Sequence, residues 1–182
     1  MQNSFFLKEP FVDILEEPKK NSNISSQLIY GESFKIISKK NNYFKIKTSY
    51  DKYSGFIKKI DSYKKFNPTH KVGILKARIY LGNKKVKSNK FLPFTSKIQI
   101  LKRNQNFIMY KKDKWLRSKD ISPIQKKNAD FVKIFKSFLN CKYKWGGKTF
   151  EGIDCSALLQ IFYKFNNNFF PRDTIDQVKL KK

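Results

Sequence analysis

Apolar residues recur at two periods along this chain, and the change from one to the other divides it. From about residue 10 to 62 the pattern alternates. Phe34-Lys35-Ile36-Ile37 and Tyr43-Phe44-Lys45-Ile46-Lys47 flank Lys39-Lys40-Asn41-Asn42, which predicts a hairpin. Alternation puts Tyr43 and Lys45 on one face of the second strand and Phe44 and Ile46 on the other. Ser54-Gly55-Phe56-Ile57 predicts a further short strand, Glu17 to Asn23 reads as a loop, and Leu28-Ile29-Tyr30-Gly31-Glu32 as an apolar stretch ending in a turn.

Residues 72 to about 122 repeat this plan with divergence. Val72 to Leu81 is strand-rich, and Leu92 to Ser96 stands where Leu28 to Glu32 stood. Ile98 to Leu101 answers Phe34 to Ile37, Phe107 to Tyr110 answers Phe44 to Ile46, and Lys114-Trp115-Leu116 answers Gly55-Phe56-Ile57. Two barrels of roughly 50 residues would bury their strand edges by closure. Lys64 to Lys71 is a linker candidate, and Pro123 marks a second boundary.

Beyond Pro123 the period becomes helical. Phe131, Ile134, Phe135, Phe138 and Leu139 recur at three- and four-residue spacing, with Asp130 before them and Lys136 and Lys142 after, as a helix dipole favours. A second helix is expected from about Ser156 to Phe165, with Leu158, Ile161, Phe162 and Phe165 on its apolar stripe and Asn166-Asn167-Asn168 ending it.

Composition changes this picture modestly. The 182 residues suffice for one domain or for small modules in series. A formal net charge of +26, from 40 basic and 14 acidic residues, attracts polyanions without specifying a fold. Part of the Lys, Asn, Ile and Phe enrichment reads as a compositional bias. No zinc-finger spacing, glycine-rich RNA clamp or aromatic ribonucleoprotein motif occurs, and Arg is rare beside Lys, so nonspecific polyanion association is expected and specific nucleic-acid recognition is not. The N-terminus lacks a basic leader with an apolar run, and no window reaches the roughly 18 apolar residues of a membrane span. A cytoplasmic setting is the expectation. No metal or cofactor is implied.

Cys141 and Cys155 make no disulfide scaffold. Cys141 reads as a core or helix-end residue and Cys155 as a free thiol at a tight bend before an apolar-periodic run. That placement suits a nucleophile, because the positive end of a helix favours the attacking thiolate form. Bland roles stand beside it: Cys155 as a buried small hydrophobe, Trp145 as a core anchor with Gly146 and Gly147 permitting a turn, and Asp154 as a helix cap. Tyr143 fits either packing against the second helix or a pocket, and Arg172 either a substrate carboxylate or a brace for the loop after that helix. His70, the sole histidine, lies in the linker candidate, where a surface or inter-domain hydrogen bond is the ordinary expectation. No histidine follows Cys155.

Tyr143-x-Trp145-Gly146-Gly147, then Gly152-x-Asp154-Cys155-Ser156, an amphipathic helix, Pro171-Arg172-Asp173 and Gln177 resemble the N-terminal half of the catalytic domain of NlpC/P60 cysteine peptidases. Ala157 stands where that family often has glycine. The two β units resemble the bacterial SH3 domains of dipeptidyl-peptidase-VI-type members. The resemblance implies a multidomain chain: SH3-like all-β barrels at 1–64 and 65–124, then part of an α+β papain-like domain at 125–182 whose C-terminal half lies outside this sequence. It implies Cys155 as nucleophile, a histidine base from a later strand, and substrate contacts from Tyr143, Trp145, Asp154, Ser156 and Arg172. The implied reaction is hydrolysis of murein stem peptides, typically between γ-D-glutamate and the diamino acid. A non-catalytic SH3-like protein that binds wall peptides or other anionic partners is the alternative. With most of the family's sheet outside the sequence, the apolar stripe of the second helix is expected to lack its main partner and the C-terminal third to be marginally stable.

Overall fold

The computed structural model describes residues 4–180. Its first unit is one antiparallel sheet of β1 (Phe5–Leu7), β2 (Phe11–Leu15), β3 (Ile24–Ile29), β4 (Ser33–Lys40), β5 (Tyr43–Thr48), β6 (Ser54–Lys58) and β7 (Ser62–Tyr63), in the order β3-β2-β6-β5-β4-β1-β7. The β4–β5 hairpin turns at Asn41, which takes φ +51°, as the paired asparagines predict. Leu7, Ile14, Leu28, Phe34, Ile46 and Ile57 come from six strands yet form one buried cluster. Laid flat at about 4.8 Å per strand, β3 and β1 would stand roughly 24 Å apart, so the sheet must curl around this core. Unlike a barrel closed by hydrogen bonds, its pairing ends at β3 and β7.

The second unit comprises β8 (His70–Val72), β9 (Lys76–Leu81), β10 (Val86–Pro93), β11 (Lys97–Ile98), β12 (Lys102–Arg103), β13 (Phe107–Lys111), β14 (Lys114–Arg117) and β15 (Ile121–Pro123). They form a β10-β9-β14-β13-β12 sheet and a β11-β8-β15 sheet. The strand expected at Ile98 to Leu101 is broken there: β11 pairs with β8, β12 pairs with β13, and Ile100 and Leu101 turn the corner between the two sheets. The expected linker is also partly structured. Phe66 is buried and stacks on Tyr63 at 5.2 Å, and His70 and Lys71 lie in β8. Tyr30 of the first unit sits fully buried in the core of the second, edge-on to Phe66 and Tyr110.

The remaining elements are α1 (Phe131–Lys136), the short hairpin β16 (Lys148–Thr149) and β17 (Gly152–Ile153), α2 (Cys155–Phe165) and α3 (Thr174–Gln177). The carboxylate of Asp130 caps α1 through the Lys133 amide at 2.9 Å. α1 is shorter than its periodicity predicts because Ser137, Phe138 and Leu139 donate to carbonyls three residues back, and Leu139 projects into solvent. The apolar stripe of α2 finds a partner that the sequence did not indicate. Phe94 of the second unit stacks on Phe165 at 4.9 Å and joins Ile134, Phe138, Ile153, Ala157 and Ile161 in one core. Asn166 ends α2 and clamps the preceding loop, accepting from the Asn128 amide at 2.7 Å and donating to the Asn128 carbonyl at 3.0 Å.

Candidate active site

Cys155 is exposed and is the first residue of α2. What holds it there is the carboxylate of Asp154. Its Oδ1 accepts from the Ala157 amide at 2.8 Å, capping the helix, and its Oδ2 accepts from the Gly146 amide at 3.0 Å, tying the helix start to the Trp145-Gly146-Gly147 turn. Arg172 closes the arrangement with a two-pronged contact, Nη1 to Oδ1 at 3.0 Å and Nη2 to Oδ2 at 2.5 Å. Its Nη1 also donates to Ser156 Oγ at 2.8 Å and its Nε to Ser26 Oγ at 3.0 Å, while Ser156 Oγ donates to Asp154 Oδ1 at 3.0 Å. Gln177 Nε2 then donates to the Ser156 and Pro171 carbonyls, both at 2.9 Å.

The glycines serve this turn. Gly146 has φ +73°, and a Cβ there would lie 2.7 Å from the Ile24 carbonyl oxygen; a Cβ on Gly147 would lie 2.4 Å from the Gly152 carbonyl oxygen. The turn thus packs backbone to backbone against β3, the edge strand of the first sheet. The Lys148 amide donating to Gln27 Oε1 at 2.7 Å extends that junction.

A cleft of about 360 Å³ opens over Cys155. Tyr143 and Trp145 form one wall and are 67% and 69% exposed, so Trp145 is no core anchor: its ring faces solvent while the paired glycines beside it take the buried positions. Glu16, Ser25 and Tyr53 of the first unit also line the cleft. Asp173 completes the rim, its carboxyl raised above the ordinary carboxylate value by burial, against the pull of Arg172. Burial likewise raises the Tyr53 phenol, which donates to the Ser25 carbonyl at 3.3 Å.

Of the residues expected to touch substrate, Tyr143 and Trp145 stand free in the cleft. Asp154, Ser156 and Arg172 border it, but all three are buried and their polar atoms are turned on one another, which departs from a substrate carboxylate held by Arg172. Glu16, Ser25 and Tyr53 were missed because they belong to no motif and reach the cleft only through the docking of β3 against the Trp145 turn. His70 lies elsewhere. Its Nδ1 is 2.9 Å from Thr69 Oγ1, its Nε2 accepts from Arg103 at 3.3 Å, and it is not among the residues lining the cleft. Cys141 follows α1 and packs at the edge of the α1–α2 core, its thiol raised by burial. Among the described residues no cluster of three or more acidic, histidine or cysteine side chains could hold a metal.

Residues 140–182 match the family model for NlpC/P60, and residues 14–61 match the bacterial dipeptidyl-peptidase SH3 domain. The NlpC/P60 match thus falls on the segment that carries Cys155, and the SH3 match on the first unit. An NlpC/P60 family protein from Bacillus cereus shares the fold with a TM-score of 0.81 at 16% identity, over 97% of this chain and 77% of that one. NlpC2 from Trichomonas vaginalis aligns at 18% identity over 100% of this chain and 73% of its own, with a TM-score of 0.39. No curated protein matches the chain in sequence. The family matched at residues 140–182 is broadly one of cell-wall cysteine peptidases, and in this chain an SH3 domain match precedes that segment.

Proposed function

We propose that the chain carries the nucleophile side of a cysteine peptidase acting on murein stem peptides at the bond between γ-D-glutamate and the diamino acid. The supporting observation is an exposed Cys155 at the start of α2, in a cleft that Tyr143 and Trp145 share with the first unit. In this reading the Cys155 thiolate attacks the γ-carbonyl carbon. The Cys155 backbone N-H, which the cap at Ala157 leaves for other partners, faces the developing oxyanion. The amine leaves with a proton from an imidazolium, and water releases the acyl group. Asp154 and Arg172 act as positioning residues for the turn that carries the sulfur, and Ser156 joins them. Glu16 and Asp173 offer acidic partners to the free amino terminus of a short peptide, which makes the first unit a ruler for peptide length. Residues 65–124 serve in the same reading as a second SH3-like unit. In the same reading the protein works in the cytoplasm.

A second reading, peptide binding without turnover, is favoured by one observation: among the described residues no histidine lines the cleft. Both readings require the cleft to take the peptide. Trp145 is exposed beside it and Trp115 is buried, so Trp145 should report occupancy. Titration with L-alanyl-γ-D-glutamyl-diamino-acid peptide should change tryptophan emission saturably, and acetylation of the peptide amino terminus should weaken the response. An emission unchanged by the peptide in the wild type refutes both readings.

A further inference from the structure

A second cavity, of about 450 Å³, lies at the far end of α2 from Cys155, where the three parts of the chain meet. Each part sends charge into it. The first unit supplies Glu32, Tyr50 and Asp51 with the hydroxyls of Ser33, Thr48 and Ser49; the second supplies Lys97, at the start of β11; the helical segment supplies Lys148 from β16 and Lys164 from α2. Lys148 and Lys164 are more than nine-tenths buried.

The two acids are already committed. Glu32 accepts from the Ile29 amide at 2.7 Å and pairs with Lys164. Asp51 accepts from the Thr48 hydroxyl and from Gln160 Nε2 at 2.9 Å. Among the described residues the Lys148 ammonium has Asp51 as its main opposing charge and makes no hydrogen bond, and Lys97 has neither. Three lysines thus line the cavity beside two engaged carboxylates, an excess of positive charge that burial makes costly to leave without a counter-ion. Burial pushes Lys148 down to about 8, as expected of a cation without a full complement of counter-charge.

We propose that this junction is a binding site for a small organic anion, its carboxylate or phosphate group held by Lys97, Lys148 and Lys164. The volume suits a small molecule of metabolite size more than a bare ion. Since the lysines come from β11, β16 and α2, an occupant would tie the second unit to the helical segment. The site is distinct from the cleft over Cys155, with which it shares no lining residue.

The test uses the whole chain with inorganic phosphate and D-glutamate as probes, against chloride at matched ionic strength. Saturable movement of the Ser33, Ser49 and Asn168 amide resonances is expected with at least one probe, and the better probe identifies the head group. Lys148→Met and Lys97→Met should each weaken that binding roughly tenfold or more, the scale of a lost charge-assisted contact. Lys35→Gln and Lys47→Gln, on the open outer face of β4 and β5, should leave it unchanged. Failure of both probes to saturate overturns the proposal. So does equal weakening by Lys35→Gln and Lys47→Gln, which would mark the response as general surface association. Should Lys148→Met fail to fold, the Lys97→Met variant and the wild-type resonances decide the matter.

Discussion

Arg172 grips both oxygens of Asp154, and that single carboxylate at once caps α2 and anchors the Trp145-Gly146-Gly147 turn. The pair is almost wholly buried, so its value lies in geometry rather than in net attraction. Removing one partner leaves a charge without its counter-charge. Arg172→Met should lower stability by about 3 to 5 kcal/mol in denaturant unfolding. Arg172→Lys should recover only part of this, since an ammonium cannot make the two parallel contacts.

Gly146→Ala tests the docking of the nucleophile turn on β3. The new methyl meets the Ile24 carbonyl oxygen at a residue whose φ is +73°. A loss of about 1 to 3 kcal/mol is expected, with faster amide exchange at Gln27 and Lys148 than in wild type. Gly82→Ala, also at positive φ but with nothing within 4 Å of the added carbon, should cost less.

The two thiols should differ sharply. Cys155 is exposed and Cys141 is half-buried with its thiol raised by burial. Iodoacetamide at neutral pH should label Cys155 first, by peptide mapping, and Cys155→Ala should leave only the slow reaction.

Lys148 gives a pH signature. Its folded value is pushed down to about 8, below the ordinary lysine value, so between the two the unfolded chain binds more protons and stability rises with pH. Below pH 8 both states are protonated and the burial penalty is fully present. Unfolding free energy should climb from pH 8 towards pH 10, and Lys148→Met should flatten that rise relative to wild type. Asp51, held below the ordinary carboxylate value by Lys148, Thr48 and Gln160 against its own burial, remains charged across the window.

How much of this was legible in the sequence depends on range. The Asn41 turn, the cap at Asp154, the start of α2 and its end at the asparagines are local, decided by residues within a few positions of one another. The fates of Phe66, Trp145 and the Ile98 to Leu101 run are not. A continuous apolar run reads as one strand whether or not it turns a corner between two sheets. An aromatic beside two glycines reads as an anchor unless the backbone that fills the buried position is known to be that of the glycines. The stripe of α2 was predictable, but Phe94, which stacks on Phe165, lies in a separate unit far back along the chain. At the site, the motif gives Cys155, Tyr143 and Trp145, whereas Glu16, Ser25 and Tyr53 depend on how separate units dock.

The most direct test of Cys155 as nucleophile separates attack from departure of the leaving group. Cleaving an amide requires a proton for the amine, but a thioester leaves without one. The phenyl thioester of L-alanyl-γ-D-glutamate, joined through the γ-carboxyl, should therefore acylate Cys155 and give a stable adduct by intact mass. The adduct should be absent in Cys155→Ala and should form faster than with the α-linked isomer. Acylation of Cys155 no faster than that of Cys141, or equal for the two isomers, would contradict the account.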